Sequence, residues 1–175
     1  MMWSKLKQLT EEKFADSVRK RVEIFSTRYN KPNSSTGRGW ITIDGIEVVN
    51  FSTMKSGEIY CCIYHEATST NCLKHPAVKD EERTPGLLIE EGEFSRFDLH
   101  NCCFEYLNLT VEEGLAHPSP LINLLAVLDS RLGKRRLPSL AKKKHHPLVM
   151  RLLEFRLVQE GFNLKNKQET NRYED

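Results

Sequence analysis

Cys62, His65, Cys72 and His75 have the residue types and spacing of a zinc site. Each Cys–His pair brackets two residues, and thiolate with imidazole suits tetrahedral Zn²⁺. The six residues between the pairs are few for a zinc finger. The preferred reading keeps Cys61 and Cys62 as small apolar core residues and the histidines as surface groups. His100, Cys102 and Cys103 form a second Cys/His set, but on a helix positions i, i+2 and i+3 converge poorly on one ion. A Cys–His nucleophilic pair would need hydrogen-bond contact, and no spacing among five cysteines and six histidines singles one out. The chain has no Gly-rich phosphate loop, G-x-S-x-G or H-E-x-x-H. Glu81, Glu82, Glu90 and Glu91 fall in a polar stretch and read as solvated. Trp3, Phe14, Phe25, Trp40 and Phe51 read as core aromatics.

Two polar groups stand out as binding candidates. Arg38 and Trp40 lie at the mouth of an expected hairpin, and Asp129, Arg131, Arg135 and Arg136 lie at an expected helix end. The same residues could instead form a buried ion pair between Asp129 and a neighbouring arginine, and this structural reading is preferred. Residues 129–146, DSRLGKRRLPSLAKKKHH, hold seven Lys or Arg against one acid. Phosphates would be drawn to such a run. Against a nucleic-acid grip, the run lacks aromatics for base stacking. It is also expected to start at a helix C-terminus, where cations are favoured anyway. Finally, residues 80–114 offer ten acids as counter-charge. Solvated or internally paired charge is the preferred reading.

These residues must be positioned by the surrounding elements. Apolar spacing predicts a helix over 4–19, then RVEIFSTRY alternates as a strand. Asp44-Gly45 between two β-rich runs predicts a tight hairpin, completing a three-stranded antiparallel meander. Residues 55–68 are read as helix and 69–95 as a long loop. Ser95 is expected to cap a helix to about Tyr106, and Thr110 with Glu113 to form a capping box. Ser119-Pro120 starts a helix expected to stop at Gly133, and Pro147 starts one expected to stop at Gly161. The expectation is one α+β domain over 1–165, a meander with an N-terminal helix and a C-terminal helical layer, and a frayed tail over 166–175.

Composition bounds the function. Charged residues are 29% of the chain and the net charge is +2, an ordinary globular balance. The odd cysteine count and a charged N-terminal stretch without an apolar core predict a reduced cytoplasmic protein, with no membrane span.

The runs WSKLK (3–7), RVEIFSTRY (21–29), GRGWITIDG (37–45), YLNLTVEEGLAHPSPLI (106–122) and AVLDSRLGKRRL (126–137) resemble an uncharacterised bacterial family of small cytoplasmic proteins. The resemblance they carry covers about half of the chain and leaves out 55–95. The resemblance implies no activity, cofactor or catalytic residue. The function expected is a non-enzymatic protein-interaction or regulatory module, with no cofactor. The alternatives are a nucleic-acid-associated protein using 131–146 and a Cys/His metal protein or enzyme.

Overall fold

Asp44 and Gly45 take positive φ angles of 52° and 79°, which closes the hairpin with the two-residue turn that matches strand twist. The computed structural model describes residues 1–28, 37–52, 54–55, 58–59, 88 and 94–163. Strands β1 (Val22–Arg28), β2 (Gly37–Ile43) and β3 (Ile46–Ser52) form an antiparallel sheet in chain order. Val22, Ile24, Ile41 and Ile43 alternate onto the core face, with Val22 opposite Ile43 and Ile24 opposite Ile41. The β2–β3 register shifts after Ile41, where Val49 is its partner but Glu47 is the partner of Thr42. Val48 is thus the extra residue of a bulge.

Helix α1 (Trp3–Glu12) packs beside β1 and ends seven residues earlier than the apolar spacing predicts. Phe14 leaves the helix to bridge Asp129: the Ala15 amide donates to the Leu128 carbonyl at 2.8 Å, and the Ser130 amide to the Lys13 carbonyl at 2.8 Å. Phe14 and Val18 are buried all the same, so the apolar pattern persisted while the backbone changed state. The expected helix over 55–68 is corrected where it can be seen: β4 (Met54–Lys55) pairs with β5 (Glu58–Ile59). Its high strand propensity prevailed over an apparent helical stripe. Residues 60–68, and nearly all of the expected loop, lie outside the described residues.

The helical layer begins at α2 (Arg96–Tyr106), whose Ser95/Asp98 capping box is fully formed. Helix α3 (Val111–Ala116) has the predicted Thr110/Glu113 box. Helix α4 (Pro120–Leu128) buries every residue except Asn123, as an apolar helix must when neighbours surround it. It packs on α2, α3 and α6 (Pro147–Gln159). A 3₁₀ turn (Lys134–Arg136) and the one-turn helix α5 (Leu137–Leu140) join α4 to α6, which stops before Gly161 at φ 87°. One apolar cluster runs from Leu6 through the sheet to Leu157.

Candidate functional site

Helix α4 does not reach Gly133. It stops at Leu128 because Asp129 turns extended, with ψ 134°, and its buried carboxylate organises the chain beyond. Oδ1 accepts the Arg131 amide at 2.7 Å, a turn typical of aspartate, and the Arg131 Nε at 3.0 Å. Oδ2 accepts Arg131 Nη2 at 2.7 Å and the Tyr106 hydroxyl. An ionised carboxylate offers about four lone-pair sites, and four donors occupy them. Asp129 therefore has no site left for a proton in transit. Burial alone would raise its pKa, but the hydrogen bonds from Arg131 and Tyr106 hold it below the usual value. Burial and the adjacent carboxylate push the Tyr106 hydroxyl well up, so it stays a neutral donor. Lys13 completes the group, 5.7 Å above the Tyr106 ring and 3.4 Å from the Leu107 carbonyl. Its burial and the nearby Arg131 charge lower its pKa, against the pull of Asp129.

Arg156 closes the same turn from α6. It is 1% exposed, and its guanidinium donates to the carbonyls of Val127 at 2.7 Å, Asp129 at 2.8 Å and Leu132 at 2.7 Å. These are acceptors that a helix leaves unpaired when it ends. The sequence reading missed Arg156, although its place on the stripe of Val149, Leu152 and Leu153 marks it as an inward-facing cation. Beside it lies a shallow cleft of ≈ 320 Å³ lined by Ala15, Ser17, Ser130, Gly133, Lys134 and Glu160. Glu160 accepts the Ser17 hydroxyl at 2.7 Å and stands 3.7 Å from Arg156 Nε, so the half-buried carboxylate faces the buried guanidinium.

Arg38 and Trp40 lie on the other face of β2, away from the Asp129 group in the sequence and on a different element. Trp40 stacks on its cross-strand partner Phe25, with centroids 5.1 Å apart and planes 10° apart. Arg38 lies 4.3 Å over Trp40, and Lys7 Nζ lies 3.7 Å over Phe25. Both outer ring faces are thus covered by cations, leaving none on which a base could stack. Arg38 also pairs with Glu47 at 3.1 Å.

The basic run is not the end of a long helix. It follows the Asp129 turn as a 3₁₀ turn, α5 and an exposed connection to α6. Arg131 is committed to Asp129, and Arg136 to Glu112 of α3, with Nη2 2.9 Å from its carboxylate. Six of the ten acids of 80–114 lie outside the described residues, so pairing with that stretch is seen only at Arg136. The side chains of Lys134, Arg135, Lys142, Lys143 and Lys144 are exposed and make no ion pair or hydrogen bond among the described residues.

Cys62, His65, Cys72 and His75 lie outside the described residues. Among the described residues, no group of three His, Cys, Asp or Glu is placed to hold a metal ion. Cys102 and Cys103 are buried thiols, and burial pushes Cys102 up to about 12 and Cys103 higher still. His100 is turned to Trp3, with ring centroids 6.0 Å apart. No helix among the described residues is long and apolar enough to cross a membrane.

A family model matches residues 2–157, which includes the sheet, the Asp129 turn and α6 up to Leu157. The chain belongs to the SF0329 protein family. The match runs through 55–95 as well, so the likeness extends well beyond the five runs quoted above. The SF0329 family has no assigned activity, so membership transfers no role to Asp129, Arg131 or the basic run. No curated protein and no solved structure matches the chain.

Proposed function

We propose that this SF0329 protein is a non-enzymatic, cytoplasmic interaction module whose contact surface is the basic segment 134–144. One contrast carries the reading. The polar groups with the most reactive surroundings are turned to the chain itself: the Asp129 carboxylate accepts four donors, the Tyr106 hydroxyl among them, and Arg156 donates to three main-chain carbonyls. The segment on the other side of the same turn presents five exposed cations whose side chains have no partner among the described residues. A catalytic group keeps a lone pair or proton for its substrate, and a contact surface keeps unpaired charge in solvent. The unbridged thiols of Cys102 and Cys103 fit a reducing compartment.

The test compares two variants by urea unfolding and by affinity for heparin, a generic polyanion. Asp129→Asn weakens the buried acceptor of Tyr106 and Arg131 while the half-exposed Arg131 stays solvated, and should cost about 1.5–3 kcal/mol, with heparin affinity unchanged while folded. Changing Lys142, Lys143 and Lys144 together to Ala should alter stability by less than about 0.5 kcal/mol and lower heparin affinity. An Asp129→Asn protein as stable as the parent, or more so, would contradict the reading. That is the behaviour of a group held in place for catalysis at the expense of stability.

A further inference from the structure

The charge of this chain is segregated. Residues 134–144 hold six of its 26 Lys and Arg and none of its 24 Asp and Glu. The rest of the chain therefore has four more acids than bases, so the +2 total conceals a cationic segment on an anionic body. Among the described residues, Arg136 is tied down by Glu112 and the side chains of the other five cations are not paired. The 3₁₀ turn and α5 advance the chain by only about 12 Å. Leu137 and Leu140 turn into the core and anchor the segment from beneath. The cations are thus crowded on a short, fixed support.

We infer that this segment binds the phosphate backbone of a nucleic-acid duplex without reading its sequence. The inference rests on the contact-surface reading above and names its partner. Three observations select the partner. Protein interfaces concentrate aromatics, Met and Arg at their centres and are depleted in Lys, whereas four of the five free cations are Lys and the segment has no aromatic residue. A membrane-surface segment gains lasting attachment from apolar side chains beside its charges, but both leucines here are buried. Single strands are held largely by base stacking; the stacked, cation-flanked aromatics of the sheet, Phe25 and Trp40, have their faces covered. A duplex requires neither stacking nor insertion. It presents one charge per about 1.7 Å of axis, and release of its condensed counterions drives binding. Its negative field also suits a protein whose remaining residues carry a net negative charge, which favours approach through the cationic segment.

Five cations on one short segment can neutralise about three or four phosphates. The log–log slope of affinity against salt is then about −3 to −4. Affinity should tighten about 30–80-fold between 150 and 50 mM salt, from a Kd on the order of 10⁻⁵ M. The experiment is fluorescence anisotropy of the full chain with a labelled duplex of random sequence, a labelled single strand, labelled poly-glutamate and phosphatidylserine vesicles. The expected order puts the duplex first, with a slope near −3 to −4. K142A/K143A/K144A should flatten that slope towards −1 and weaken binding at least tenfold at 50 mM salt. Lys5→Ala/Lys20→Ala, which removes two exposed cations elsewhere, should leave it unchanged. Failure to bind the duplex more tightly than about 10⁻⁴ M at 50 mM salt overturns the inference, as does a slope that the triple variant leaves intact. Poly-glutamate or vesicles binding as tightly as the duplex, with binding lost in the triple variant, also overturns it but leaves the contact-surface reading standing. Loss of no ligand in the triple variant removes both.

Discussion

Replacing Arg156 by Met isolates what the buried guanidinium does for the α4 turn. Met matches its length and lacks its charge, and burying a thioether is favourable. Replacing a buried ion pair by apolar residues can even stabilise a protein. Here, however, the partners are main-chain carbonyls of Val127, Asp129 and Leu132, which no substitution removes. The variant removes a charged donor from all three; the Asp129 carbonyl keeps the Leu132 amide at 3.0 Å, and those of Val127 and Leu132 lose theirs. Each hydrogen bond to a charged donor contributes about 1.5–3 kcal/mol. The guanidinium's own desolvation, which lowers the Arg156 pKa, offsets part of their sum. A net loss of about 3–5 kcal/mol follows, a large share of the 5–15 kcal/mol typical of a whole domain. For a chain of this size that lowers Tm by about 6–20 °C. Urea unfolding followed by circular dichroism gives the loss as a shift in midpoint at constant slope. A loss under about 1 kcal/mol would refute the claim that Arg156 holds the turn, because water would then serve the carbonyls equally well.

Further outcomes follow from the same geometry. A Cβ at Gly114 would meet the Ala126 Cβ at 3.0 Å and the Tyr106 ring at 3.2 Å, where α3 crosses α4. Gly114→Ala should therefore destabilise in calorimetry, the overpacking of about 1–3 kcal/mol outweighing a helix-propensity gain of about 1 kcal/mol. Burial raises the Asp129 pKa less than Arg131 and Tyr106 lower it, so its folded value lies below its unfolded one. Its stabilisation is full above about pH 4 and lost as pH falls through the folded pKa. Unfolding free energies of the parent and Asp129→Asn should converge below about pH 4, and a gap that is constant with pH would count against the assignment. With Cys102 raised to about 12 by burial and Cys103 fully enclosed, neither should react with a thiol reagent at pH 8 until the protein is denatured. Rapid native labelling of either, located by mass spectrometry, would contradict that burial.

Local signals with a stated stereochemistry proved legible. Asp44-Gly45 specified a turn that needs two positive φ angles, and both capping boxes formed where Ser95 and Thr110 placed them. What escaped was decided by contacts distant in sequence. Helix α1 ends at Glu12 because residues 13–15 pair with 128–130. Helix α4 ends at Leu128 because a buried Asp129 collects donors from Tyr106 and Arg131, and apolar periodicity continuing to Leu132 cannot reveal that. The Asp129–Arg131 contact itself was among the expected pairings, since both residues stand two apart in one polar interruption. Arg156, 27 residues beyond Asp129, was not, because its role depends on where α6 crosses α4. The basic run was assigned to a helix end and to acidic counter-charges. Among the described residues Arg131 pairs with Asp129 and Arg136 with Glu112, and the exposure of the other five cations is visible only in the fold.

The contact surface can be located directly by acylating lysines with an amine-reactive ester, with and without a saturating short DNA duplex at low salt, and quantifying each site by mass spectrometry. Lys134, Lys142, Lys143 and Lys144 should be protected together, while the exposed Lys5 and Lys20 keep their reactivity. Protection centred on Lys5, Lys7 or Lys20, or none at 134–144 while the duplex is bound, would place the interaction elsewhere on the protein and contradict the account.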